Sequence, residues 1–126
     1  MTKRRLSIIL HSSDYSRIHF GLAMAAAAAA TDRPVTLFFT MGGLRFLTPD
    51  WGEKENEVNE NLGIATLNEL ISANLDLGTE FQICEMGLQS EGLALHDLRA
   101  DINIKLSGIV SFLTAAESED TTPIFV

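Results

Sequence analysis

The sequence predicts an α/β fold: a three-layer α/β/α sandwich around a five-stranded, mainly parallel sheet. Three observations lead there. Short runs rich in β-branched and aromatic residues alternate with stretches of helical spacing along all 126 residues, as in a series of βαβ units. The first two runs, "RLSIIL" and "VTLFF", lack the polar alternation of half-exposed strands, which suits a parallel sheet covered on two sides. The third is length, enough for one real core and not for two, so residues 1–126 are expected to form a single domain.

The elements follow in order. Arg5 to Leu10 is the first strand, closed by the polar "HSSD". Ser12, Ser13 and Asp14 are all good N-cap residues, so a helix opens there and runs from Tyr15 to Ala30. Its "AMAAAAAA" tract is strong helix former and small enough to lie close against a sheet. Pro34 stops it, and Val35 to Phe39 is the second strand. "TMGGLRFLTPDWGEKENEVNE" reads as a glycine-containing turn and a long polar loop. A second helix is expected over Val58 to Asn74, with Ile64, Leu67, Ile71 and Leu75 on one face. "DLG" ends it, and "TEFQIC" is the third strand. After Cys84 comes a short helical piece, then a turn and a brief fourth strand near Ile102 to Ile104. "SGIVSFLTAAES" is the last helix, with Ile109, Phe112, Leu113 and Ala116 as its apolar face. "TTPIFV" is the fifth strand, and Pro123 places itself at the strand start or on a sheet edge.

Composition removes several function classes. A formal charge of −8 argues against nucleic acid, because phosphate binding needs clustered Lys and Arg. The one basic cluster, Lys3 to Arg5, is a solvated lead-in to the first strand. No membrane span is expected, since the apolar stretch Gly21 to Ala30 is far shorter than the roughly 20 residues a bilayer requires. The start "MTKRRLSIILHSSD" imitates a secretory leader, but its apolar core is too short. A single cysteine forms no internal disulfide, so a reducing cytoplasm is the expected compartment.

Candidate chemistry gathers where an open α/β sheet places it, outside the carboxyl ends of the strands. "HSSD", "TMGG" and "CEMG" all arrive at that edge. A thiol at the start of a helix faces unpaired N–H groups that favour thiolate, so Cys84 is expected to be exposed and acidified. Glu85 beside it would oppose that effect if it pointed inward. Position alone leaves two readings of Cys84 open, a reactive thiol or a small packed hydrophobe. The glycines of "TMGG" reads first as a plain turn and second as an anion cradle, and no nucleotide-binding fingerprint occurs anywhere. His11 directly precedes the serines, which does not suit Ser-His hydrolysis. His11, His19 and His96 show no ligand spacing, so no metal is expected. Phe46, Leu47 and Trp51, read as loop residues, suggest a surface hidden against another subunit.

Taken in order, "HSSDYSRIHFGLAMAAAAAATDRPVTLFFTMGGLRFL", "FQICEMGLQSEGL" and "LSGIVSFLTAAESEDTTPIFV" resemble the DsrE/DsrF-like sulfur-relay family. Each motif is weak alone, whereas the ordered set is specific and covers most of the chain outside Pro49 to Glu57. The resemblance implies a Rossmann-like subunit that assembles into oligomers and needs no cofactor. It also implies that Cys84 accepts sulfane sulfur from a rhodanese-like or TusA-like protein and passes it on. By position, Ser12, Ser13, Asp14, Met41, Gly42, Gly43 and Met86 would surround that thiol. Many relatives lack the cysteine and serve as structural subunits.

Three functions therefore compete: a sulfur carrier, a one-cysteine thiol peroxidase, and a non-catalytic structural or ligand-binding subunit. The carrier needs one accessible low-pKa cysteine. The peroxidase needs its sulfenic acid resolved, and the chain has no second cysteine to do so. The subunit needs an inert Cys84.

Overall fold

The computed structural model describes residues 3–117 and 120–126. Ser118, at the end of the segment predicted as the last helix, lies outside the described residues, as do Met1 and Thr2 of the leader-like start. The strands are β1 (Arg5–Leu10), β2 (Val35–Phe39), β3 (Glu80–Cys84), β4 (Ile104–Ser107) and β5 (Thr121–Phe125). They form one sheet in the order β4-β3-β2-β1-β5. Every neighbouring pair is parallel. Pro123 sits in β5, an edge strand, where a missing N–H costs the ladder little.

Among the described residues five α-helices connect the strands: α1 (Tyr15–Ala30), α2 (Glu53–Asn61), α3 (Leu67–Asp76), α4 (Glu85–Glu91) and α5 (Ile109–Ala116). Asp14 caps α1, its Oδ1 accepting from the Arg17 N–H at 3.1 Å. Thr66 and Glu69 close a reciprocal capping box at the start of α3.

The segment after β2 departs from the expected loop. Met41–Leu47 winds into a 3₁₀ helix, and the polar "EKENEVNEN" forms α2 with no residue buried. The single helix expected over Val58 to Asn74 is in fact two, broken near Gly63, whose φ of 73° is left-handed. Phe46 and Leu47 are buried in the chain's own core, and Trp51 packs against Tyr15 and Phe46. Phe46 and Leu47 therefore offer no loop surface for a second subunit, and Trp51 is half-buried. β4 begins at Ile104, two residues later than the sequence suggested, because Ile102 turns inward before pairing starts.

The two faces of the sheet are covered unequally. Leu6, Ile8, Leu10, Leu37, Phe39, Phe81 and Ile83 face the main core, under α1, α3 and the 3₁₀ helix. Strand alternation turns Ile9, Phe38 and Cys84 to the opposite face. There they meet Phe112 and Ala116 of α5 in a small separate cluster. Among the described residues α5 is the one helix on that face.

Candidate functional site

Parallel strands deliver their carboxyl ends to one edge, and backbone contacts knit the connections there together. The Gly43 N–H donates to the His11 carbonyl at 3.1 Å, and the Thr40 N–H to Leu10 at 3.1 Å. A Cβ on Gly43 would lie 2.0 Å from the Leu10 oxygen, and one on Gly42 would lie 3.1 Å from the Ser13 Cβ. A Cβ on Gly87 would fall 2.8 Å from the Met41 nitrogen. "HSSD", "TMGG" and "CEMG" thus converge, and glycine is what lets their backbones meet.

The thiol itself lies on the other side of this knot. Cys84 ends β3, opposite Ser107 of β4, and is the N-cap residue of α4, without a side-chain capping bond. Its side chain is only 2% exposed, packed with Phe38 and Phe112. That overturns the expectation of a solvent-open sulfur. The reason is α5, whose Phe112 ring stacks on Phe38 with centroids 4.4 Å apart and closes the sheet face over the thiol.

A shallow groove of about 380 Å³ reaches Cys84 from outside, lined by Glu85, Met86, Gln89, Gly108, Ile109 and Val110. Of the residues expected around the thiol, Met86 lines this groove and is 52% exposed. Ser12, Ser13, Asp14, Met41, Gly42 and Gly43 are not among its lining residues. They organise the neighbouring edge instead: the Ser12 Oγ accepts from the Asp14 N–H at 3.0 Å, and Asp14 caps α1. Met41 adopts a left-handed φ of 48° where the chain leaves β2. Glu85 is exposed rather than turned inward.

The family is settled by the whole chain, not by this groove. A family model for the DsrE/DsrF-like family matches residues 5–122. The chain belongs to that family. Solved structures share its fold. The "Protein of Unknown Function MTH1491 from Methanobacterium thermoautotrophicum" superposes with a TM-score of 0.72 at 16% identity, covering 98% of this chain and all of the other. The ychN protein from E. coli gives 0.65 at 11% identity, with both chains covered completely. No curated protein matches this chain.

Sequence reasoning missed Phe38, Phe112, Gln89, Gly108, Ile109 and Val110 as neighbours of the thiol. Strand alternation could have put Phe38 and Cys84 on one sheet face, since β2 and β3 are adjacent. Nothing local announces that α5 folds over them. Burial pushes the Tyr15 hydroxyl above its ordinary range, helped by Glu55 and opposed by a hydrogen bond from Asn59. Arg99 holds the Asp101 carboxyl below its ordinary range, chiefly through hydrogen bonding. Among the described residues, no group of three or more His, Cys, Asp or Glu side chains could hold a metal ion. Nor is any described helix long and apolar enough to cross a membrane.

Proposed function

We propose that this chain is a sulfur carrier, a single DsrE/DsrF-like domain that holds sulfane sulfur as a persulfide on Cys84. The observation that carries the reading is the place of the only cysteine: the carboxyl end of β3, at the foot of a groove, in a chain of a sulfur-relay family. The Cys84 thiolate attacks the outer sulfur of a donor persulfide. A new S–S bond forms as the donor's S–S bond breaks, and the donor leaves as a thiolate. An acceptor thiolate then takes the outer sulfur and Cys84 leaves in turn. The exchange has no net redox change and asks for no cofactor. Donor and acceptor are proteins of the rhodanese-like or TusA-like kind, met in the cytoplasm.

The peroxidase reading weakens further, because the thiol is buried against Phe38 and Phe112, which offer no hydrogen bond to a peroxide. One observation favours the non-catalytic subunit: the burial of Cys84.

We also propose a homo-oligomer, supported by exposed apolar side chains on the face away from α5. Phe20, Val58, Leu62 and Ile64 lie together on the main helical side. One sample tests both ideas. Incubated with polysulfide, the denatured chain should gain about 32 Da, one sulfur atom, that reductant removes and Cys84→Ala abolishes. Native mass spectrometry of the same sample should show the assembly. A thiol that iodoacetamide alkylates but that never retains sulfur would end the carrier reading, and a clean monomer would end the oligomer.

A further inference from the structure

The helix that hides the thiol is lightly held. Phe112 is the only buried residue of α5, and Ala116 is partly covered beside it. The other large apolar side chains of the helix, Ile109, Val110 and Leu113, are 48%, 74% and 50% exposed. No side chain caps its N-terminus. Among the described residues no ion pair ties it to the sheet; the Ser107 hydroxyl reaches only the adjoining Gly108 carbonyl, at 3.4 Å, and the Thr114 hydroxyl bonds within the helix, to Val110. An eight-residue helix has little stability of its own, so α5 stays folded on the sheet largely through one aromatic stack. α1, by contrast, buries five residues and has a side-chain cap.

The surroundings leave room for movement. A Cβ at Gly108, where α5 begins, would meet nothing within 4 Å. Gly108, Ile109 and Val110 also form one wall of the groove that ends at Cys84, so displacing α5 widens the existing approach. Segments with few buried contacts open locally at a free energy well below that of global unfolding.

We propose that α5 is a gate over Cys84 and that Phe112 is its latch. The closed fold keeps the sulfur away from water and small oxidants, and lifting α5 presents it while the sheet stays intact. The purpose of the gate rests on the sulfur-carrier reading. Its existence rests on packing alone and is read by thiol accessibility.

The test is the rate at which iodoacetamide alkylates the wild-type chain, followed by intact mass across urea concentrations below unfolding. Trp51, the only tryptophan, reports global unfolding in parallel. A gate gives labelling slower than that of the urea-unfolded chain, with a urea dependence much shallower than that of global unfolding. Phe112→Ala should label on the order of tenfold to a hundredfold faster while the Trp51 transition moves little. Should that variant not fold, Phe112→Leu replaces it, and the wild-type urea dependence needs no variant. The gate is overturned by wild-type labelling that follows global unfolding, by labelling as fast as in the unfolded chain, or by a Phe112 variant with an unchanged rate. Gated labelling without sulfur loading would remove the carrier reading and leave the gate standing. Sulfur loading without gated labelling would do the reverse.

Discussion

Replacing Cys84 with serine measures how dry the thiol is. Serine is nearly isosteric, but its hydroxyl requires a hydrogen-bond partner that a thiol does without. The apolar side chains packed around position 84 are those of Phe38 and Phe112, with Ile9 and Ala116 at the margin, and none can accept or donate; Ser107, opposite in β4, gives its hydroxyl hydrogen to the Gly108 carbonyl. Burying a hydroxyl unpaired costs about 1–3 kcal/mol. One effect opposes this. Position 84 is the N-cap of α4, where a serine that turned toward the helix could contribute about 1 kcal/mol. The turned hydroxyl would have to leave the pocket the sulfur fills, so the two terms offset only in part. We expect a net destabilisation of about 1–2 kcal/mol. Urea unfolding followed by Trp51 fluorescence reads it as a lower midpoint at unchanged slope. A Cys84→Ser midpoint equal to or above wild type would refute the reasoning and mean that the sulfur is open to water. A neutral serine swap is what a solvent-exposed thiol would have predicted. Its burial makes Cys84→Ala, which adds no polar atom, the cleaner control for sulfur loading.

Two further outcomes follow from the geometry. Gly43→Ala would drive a Cβ to 2.0 Å from the Leu10 carbonyl oxygen, a backbone atom held in the β1 ladder. It should cost about 3 kcal/mol or more in urea unfolding, with Gly42→Ala, facing the Ser13 Cβ at 3.1 Å, clearly milder. Tyr15 is the only tyrosine, so absorbance near ~295 nm titrates it alone. Its midpoint should lie above 10.0, because burial disfavours the phenolate. A folded-state pKa raised above the unfolded one contributes stability that is complete below about pH 10 and is lost as pH rises through the folded pKa. Tyr15→Phe should flatten that alkaline decline, and an unchanged slope would assign it to another group.

The parts legible in the sequence are those whose signal is local. β1 and β2 carry apolar runs ended by polar residues, and their bounds agree with the reading; β3 begins at Glu80, one residue later than read. Asp14 announces α1 because capping is decided within one turn. α2 was invisible for a physical reason: none of its residues is buried, so it has no apolar stripe to give it a period. The break before α3 had a marker, the Thr66–Glu69 capping box, hidden inside what looked like a continuous face. The regular spacing of Ile109, Phe112, Leu113 and Ala116 overstated burial, since the short α5 buries Phe112 and part of Ala116 while Ile109 and Leu113 stay about half exposed. The site divided in the same way. Convergence of three connections at one edge follows from parallel topology, whereas burial of Cys84 depends on a helix that begins well over twenty residues later. No local pattern encodes that contact.

The all-parallel order of the strands has a consequence for how this protein comes into being. No neighbouring pair can be joined by a hairpin, so each pairing closes a loop that contains at least one helix. The β1–β5 seam is the extreme case, joining Arg5 to Thr121 across nearly the whole chain. Loop closure over such spans makes assembly slow compared with a helical bundle. On the ribosome β5 emerges after every other strand, and α5 lies directly ahead of it in the chain. The cover over Cys84 can therefore be set only after α5 has followed the thiol off the ribosome. Until then the nascent chain carries its one thiol, and the Phe38 ring beside it, uncovered.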